Sequence, residues 1–239
     1  IGCIIMEALA SRGVKLDIVE MGDRMVPRMM TSKAGSMIAR WVKQKGVNVH
    51  TNARVTSIRP NGDELIATLG DGTEVVADLV IASAGVKPNV AFLDGSGVAC
   101  STGILIDERC ATNIPDVYAA GDVAEAVDFS TGERLVNAIQ PNAVDQGRIA
   151  ALNMVGRSAR SQGTMAINVL DTLGLISASF GQWWGAEGGE SVERIDEERF
   201  RYISLQFKDD VLVGATSIGL TDHVGVLRGL IQTRTPLGA

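Results

Sequence analysis

Residues 79–82 form an unbroken apolar run, Leu79-Val80-Ile81-Ala82, that passes directly into Ser83-Ala84-Gly85. A strand apolar on both faces is buried on both faces, which is the position of a central strand in a parallel sheet covered by helices. The run therefore predicts an α/β fold, with a close turn and a domain crossing at Gly85. The residues before it agree. Ile1, Ile4, Ile5, Ala8 and Leu9 recur at helical spacing, and Gly13 follows where a left-handed helix end favours a residue without a side chain. Residues 14–20 read as a short buried strand ending in Glu20, and a second amphipathic helix uses Ile38, Trp41 and Val42 before Gly46.

From 47 to 76 the pattern becomes an antiparallel meander with turns at Asn61-Gly62 and Asp71-Gly72. Residues 104–107 and 117–120 read as short strands, the second ending in Gly121-Asp122. A helix over about 142–155 follows behind Pro141. Polar residues 158–163 form a linker. Beyond it, strands near 175–180, 191–195, 200–207 and 211–218 and a helix through Val224, Leu227, Leu230 and Ile231 make an α+β segment.

Composition narrows the function. The 239 residues have room for one large core or two modest ones. The net charge of -6 comes without a basic run that could follow a phosphate backbone, so nucleic acid is not an expected partner. With 46% hydrophobic residues, no stretch approaches the roughly 20 uninterrupted apolar residues of a membrane span. Cys3, Cys100 and Cys110 form no C-x-x-C pair, which points to a reducing, cytoplasmic setting. His50 and His223 lie far apart, without the ligand spacing of a zinc site, so no metal is expected. The first residues already read as a folded element, and no leader is expected.

A dinucleotide-binding βαβ unit needs a Gly-rich turn entering a helix and, about 20 residues on, an acid for the ribose hydroxyls. Gly2 and Glu20 stand 18 positions apart and fit the last glycine and the acid. An ordinary helix–strand pair accounts for the same residues. If the unit is a nucleotide site, Glu20 selects NADH by repelling a 2′-phosphate, while Arg24 and Arg28 leave NADPH open.

Two later segments carry a resemblance: Ile81-Ala82-Ser83-Ala84-Gly85-Val86-Lys87-Pro88-Asn89, then Thr112-Asn113-Ile114-Pro115-Asp116-Val117-Tyr118-Ala119-Ala120-Gly121-Asp122. In this order they resemble the FAD-dependent pyridine nucleotide-disulfide oxidoreductases, and the tail is similar to the NADH oxidase, nitrite reductase and rubredoxin reductase branch. The resemblance implies that Asp122, behind Gly121, reaches the ribityl chain of FAD. Gly85 would pass the nicotinamide of NAD(H), with Lys87 where the family commonly has Arg. Gln140-Pro141-Asn142-Ala143-Val144-Asp145-Gln146-Gly147 matches the helix whose amino end faces the flavin, with Gln140 and Asn142 at the cofactor.

The implied architecture is α/β: the remainder of two Rossmann-like, three-layer dinucleotide-binding domains followed by a small α+β domain of the dimerisation type. Its segments are 1–83 for NAD(H), 84–157 as the returning part of the FAD domain, and 158–239 as the carboxyl-terminal domain. The family's amino-terminal FAD-binding lobe has no counterpart, so the chain reads as a carboxyl-terminal fragment. Its first helix carries Ile4 where many members have Glu, with Glu7 one turn on, and Cys3 reads as packing. The implied reaction is hydride transfer from NADH to FAD, then electron transfer to a disulfide, oxygen or a small redox protein, in a homodimer. The alternatives are a noncatalytic fragment and a dimerisation or NAD-binding module without flavin. Trp183-Trp184 is a candidate acceptor or dimer surface, or ordinary packing. No catalytic residue is assigned.

Overall fold

Two helices end in the same way, and glycine is the reason. At the close of α1 (Gly2–Ala10), the Gly13 N–H donates to Ala10 O (3.0 Å) and the Val14 N–H to Leu9 O (3.3 Å), with Gly13 at φ 73. At the close of α2 (Ser32–Gln44), Gly46 and Val47 repeat the pattern on Lys43 O (3.0 Å) and Val42 O (3.3 Å), with Gly46 at φ 85. Both use the left-handed turn that glycine adopts without steric cost, and both satisfy carbonyls that the helix would leave open. The Thr31 side chain caps the other end of α2, accepting from the Ala34 N–H at 3.3 Å.

This computed structural model describes residues 1–238, which divide into two compact units. The first comprises residues 1–85, 168–179 and 183–238; the second comprises 86–167 and 180–182.

In the first unit, β1 (Asp17–Val19) pairs in parallel with β2 (Asn48–His50), Ile18 opposite Val49, and α2 is the crossover between them. Met30, Ile38 and Val42 are fully buried there, joined by Met6 of α1. Residues 47–50 therefore belong to the parallel pair, because Val47 and Val49 are needed under α2. The meander starts later, as β3 (Val55–Asn61), β4 (Glu64–Leu69) and β5 (Glu74–Ala77), with the two expected Gly turns between its strands. The run 79–82 is no ladder strand. It pairs with no described residue, and Leu79 is 68% exposed.

Most of a five-stranded antiparallel sheet completes this unit: β9 (Ile167–Thr172), β10 (Leu175–Gly181), β11 (Glu190–Asp196), β12 (Arg201–Lys208) and β13 (Val211–Ile218), in the order β11-β12-β13-β10-β9. Helix α4 (Val224–Thr233) packs on β13 and buries Leu227 and Ile231. The sheet shares a core with α2 through Leu175, Phe200, Tyr202 and Ile218. Trp41 meets Phe200 edge-on at 5.0 Å and donates from Nε1 to Leu173 O at 3.1 Å. The Tyr202 hydroxyl donates to Glu193 Oε2 at 3.1 Å, and Glu193 in turn pairs with Lys33 of α2.

The second unit holds β6 (Ile104–Leu105), parallel to β7 (Ala124–Val127), and β8 (Arg134–Leu135), antiparallel to β7. Helix α3 (Gln140–Met154) buries Asn142, Gln146 and Ala150. The strand expected at 117–120 contracts to a single bridge between Tyr118 and Ala111. Positive-φ residues close the run at both ends, Asp116 at 64 and Gly121 at 87, so too few residues stay extended to build a ladder. The regular strand begins beyond the Gly-Asp turn, at Ala124.

Cys110 lies buried beneath this unit, where desolvation and the charge of Asp107 push its thiol up to about 11. A thiol that titrates higher folded than unfolded supports the fold fully at neutral pH, and that support is lost as pH rises toward 11. Burial raises the Cys3 thiol as well, whereas Cys100 is exposed. A maleimide at pH 8 is therefore expected to label Cys100 first and Cys110 only after denaturation, as counted by mass spectrometry.

Candidate cofactor site

The second unit brings the Gly121-Asp122 turn onto the first turns of α3. Gly121 sits at φ 87, and its N–H donates to Gln146 Oε1 at 2.8 Å. A side-chain carbon at Gly121 would lie 3.8 Å from the Ala143 side chain, which places the turn against α3. Asp122 is exposed, and its carboxylate makes no hydrogen bond or ion pair with any described residue. The start of α3 is equally open: Ile139 offers no side-chain cap, and Pro141 occupies the first turn. A free carboxylate and free backbone donors thus lie on neighbouring elements, the donors favoured toward negative charge by the helix dipole.

A buried network holds α3 in place. Asn142 is 7% exposed; its Nδ2 donates to Asn137 O (3.3 Å) and Met165 O (3.2 Å), and its Oδ1 accepts from the Met165 N–H at 3.4 Å. The amide of Asn142 is therefore spent on the backbone, while Gln140 stands exposed at the helix start. Asn137 Nδ2 donates to Asp128 Oδ2 at 2.8 Å and to Thr164 Oγ1 at 2.9 Å. Asp128 is 3% exposed, and its Oδ1 accepts from the N–H groups of Ser130 (2.9 Å) and Thr131 (3.0 Å) and from the Ser130 hydroxyl at 2.5 Å.

The first unit gathers a second set. Gly2 opens α1 against Ser83, where an added side-chain carbon would lie 3.4 Å from Ser83 Cβ. Gly85 has φ 105, and an added carbon there would lie 3.3 Å from the Arg28 guanidinium. Glu20 follows β1; its N–H donates to His50 O at 2.9 Å, and its Oε1 accepts from the Gly22 N–H at 2.8 Å, which leaves Oε2 free. Arg24 is committed to its own loop, with Nε on Met30 O at 3.0 Å and a guanidinium nitrogen on Asp23 at 2.7 Å. Ile4 is 61% exposed on α1. Trp183 and Trp184 meet edge-on at 5.3 Å; Trp183 is buried and Trp184 exposed. Among the described residues no His, Cys, Asp and Glu cluster could hold a metal ion, and no helix is long and apolar enough to cross a membrane.

Sequence reasoning named Gly2, Glu20, Gly85, Gly121, Asp122, Gln140 and Asn142. It passed over Gln146, Asp128 and Asn137. The signal for Gln146 is its place one turn after Asn142 on the same face of α3. The signal for Asp128 is a short acid two and three residues before Ser130 and Thr131, the pattern of a side-chain-capped turn.

The Gly-Asp turn packed on α3, the parallel β1-α2-β2 unit and the parallel pair β6-β7 make an α/β protein of the dinucleotide-binding type. The model of the pyridine nucleotide-disulphide oxidoreductases matches residues 1–147. The chain is 35% identical over 240 residues to the NADH-dependent phenylglyoxylate dehydrogenase subunit epsilon of Aromatoleum evansii, covering 99% of this chain and 57% of that one. It is 31% identical to the ferredoxin–NAD(+) reductase component of the biphenyl dioxygenase system of Paraburkholderia xenovorans, covering 100% and 58%. Among solved structures, the NAD-dependent persulfide reductase from A. fulgidus superposes with a TM-score of 0.86 at 26% identity, over 96% of this chain and 46% of the other. The chain belongs to the pyridine nucleotide-disulphide oxidoreductase family, whose members are FAD-dependent NAD(P)H oxidoreductases. It spans a little over half the length of these curated relatives.

Proposed function

We propose that these residues form the nucleotide-handling and carboxyl-terminal parts of a flavoprotein that takes hydride from NADH and passes electrons to a small redox protein. The observation that carries this reading is Asp122, free and exposed on a turn that packs against the uncapped start of α3. FAD, when bound, supplies the ring that accepts hydride and releases electrons singly or in pairs.

The donor and acceptor set fits that group. Asp122 offers a carboxylate to a ribityl hydroxyl, and Gly121 lets the cofactor approach. Gln140 and the backbone N–H groups at the start of α3 offer donors, and the helix dipole favours negative charge on the pyrimidine side of the ring. Asn142 serves by holding that helix start on Met165. On the NAD side, Gly2 and Gly85 leave room for the nucleotide, and Glu20 offers Oε2 to the ribose hydroxyls.

Relatives named as ferredoxin and rubredoxin reductases support a small redox protein as the acceptor. A disulfide or oxygen is the alternative acceptor. In this reading 1–83, 84–157 and 158–239 are the NAD, FAD and carboxyl-terminal segments, and the last joins two copies in a homodimer. The three free thiols suit the cytoplasm. Light scattering checks the dimer.

The test is the visible spectrum of the purified protein before and after FAD, then after NADH without oxygen. A flavin band bleached by NADH supports the reading. A colourless protein unchanged by FAD leaves the alternative, a noncatalytic or NAD-binding module.

Nucleotide choice gives a separate prediction. Glu20 repels a 2′-phosphate, and Arg24 is tied to Met30 O and Asp23 and is not free to receive one. NADH is expected to be the better donor. Glu20→Ala is expected to cost NADH about tenfold in kcat/KM, near 1.4 kcal/mol, and to narrow the gap to NADPH. Steady-state kinetics with both nucleotides measures it; an unchanged ratio would remove Glu20 from the site.

A further inference from the structure

We propose that Gln146 is a positioning residue of the flavin site, the side chain that fixes the Gly121-Asp122 turn against α3. The proposal rests on the flavin reading above and names a residue that reading does not use.

Gln146 is only 4% exposed, seven positions into α3 and two turns away from the open helix end. A glutamine so buried has to place its polar atoms, and its Oε1 is spent on one target, the Gly121 N–H at 2.8 Å. Nothing among the described residues accepts from its Nε2, so the tether runs through the oxygen alone. The bond spans 25 residues and ends on the residue immediately before Asp122.

Gly121 is itself in the left-handed region at φ 87, and the Ala124 N–H donates to its carbonyl at 2.9 Å. Both peptide groups of Gly121 are thereby fixed, the carbonyl by β7 and the N–H by α3. Asp122 makes no contact of its own that would hold its carboxylate in place. Its position is set by Gly121, and Gly121 is set by Gln146. The same helix carries the open donors at Gln140 and the buried anchor at Asn142, one turn before Gln146 on the same face. One rigid element therefore aligns the carboxylate with the donors, and a cofactor that uses both needs that alignment before it binds.

Two substitutions separate positioning from packing. Gln146→Met keeps the length and volume and removes the acceptor; Gln146→Glu keeps an oxygen for the Gly121 N–H in either protonation state. The readouts are hydrogen exchange of the Gly121 amide and thermal midpoint in the flavin-free protein, and dissociation constants for FAD and NADH. Gln146→Met is expected to speed Gly121 exchange and to raise the FAD constant by about tenfold or more. The NADH constant should hold, the midpoint should fall by only a few degrees for the one unpaired N–H, and Gln146→Glu should restore the exchange rate and the FAD constant.

Unchanged Gly121 exchange in Gln146→Met overturns the inference, because the tether would then not hold the turn. Faster exchange with an unchanged FAD constant also overturns it, and leaves the flavin reading standing. A parallel fall in midpoint, FAD affinity and NADH affinity would mean a packing role only. A wild-type protein that binds no FAD at all removes the flavin reading, and this inference with it, while Gly121 exchange still reports on the tether.

Discussion

Asp128→Ala is expected to be the most destabilising polar substitution in the second unit. Its carboxylate is 3% exposed and accepts from the Ser130 and Thr131 N–H groups, the Ser130 hydroxyl and Asn137 Nδ2. Removing it strands several half-buried donors at once. A buried donor left unpaired costs about 1–3 kcal/mol, so a combined loss of about 3–4 kcal/mol is expected. For a chain of this length that lowers Tm by about 10 °C, readable by calorimetry or circular dichroism. The effect should extend beyond stability. Asn137 loses one of its two side-chain anchors, and its carbonyl is one of the two that hold Asn142 at the start of α3. Weaker FAD binding should therefore accompany the lower Tm. Thr131→Val is the milder comparison: it deletes the 3.2 Å hydroxyl contact to the same oxygen and the exposed bond from the Glu133 N–H to that hydroxyl, leaves the Asp128 carboxylate in place, and should cost about 1 kcal/mol.

The helices were legible because their signals are local. Gly13 and Gly46 close α1 and α2 where the apolar spacing stops, and Pro141 opens α3 within two residues of the expected place. The hairpin turns at Gly62 and Gly72 were legible for the same reason. The strands read at 175–180, 191–195, 200–207 and 211–218 are β10, β11, β12 and β13 within a residue or so, but two other segments were not legible. Leu79-Val80-Ile81-Ala82 has the composition of a central strand, but composition cannot supply a partner, and the run stays unpaired among the described residues. Strand β9 escaped notice because Asn168 and Asp171 interrupt its apolar residues; the sheet accepts Asn168 through a bond to Ser179 Oγ at 3.1 Å. The segments that carry the candidate site were legible from the Gly-Asp turn and the α3 motif. The scaffold beneath them was not, since Gln146 to Gly121 spans 25 positions and Asn142 to Met165 spans 23. Such contacts are set by the fold, and only their endpoints are written in the sequence.

Asp122→Ala should behave in the opposite way to Asp128→Ala, although both remove a carboxylate from one unit. Asp122 is exposed and bonded to nothing among the described residues, so its loss should leave stability within about 0.5 kcal/mol. All of the expected effect falls on the cofactor. A hydrogen bond from a hydroxyl to a carboxylate contributes about 1.5–3 kcal/mol, which predicts an FAD dissociation constant raised by roughly 10- to 150-fold. Asp122→Asn keeps an acceptor oxygen and removes the charge, and should fall between the two. Flavin fluorescence titration measures the constant, and the melting curve of the flavin-free protein supplies the second axis. An unchanged FAD constant in Asp122→Ala would remove the residue on which the functional reading rests. A large loss of affinity without loss of Tm would separate the two carboxylates by role, Asp128 holding the scaffold and Asp122 meeting the ligand. That separation is expected of a site in which the ligand's partners are kept free by burying the residues that position them.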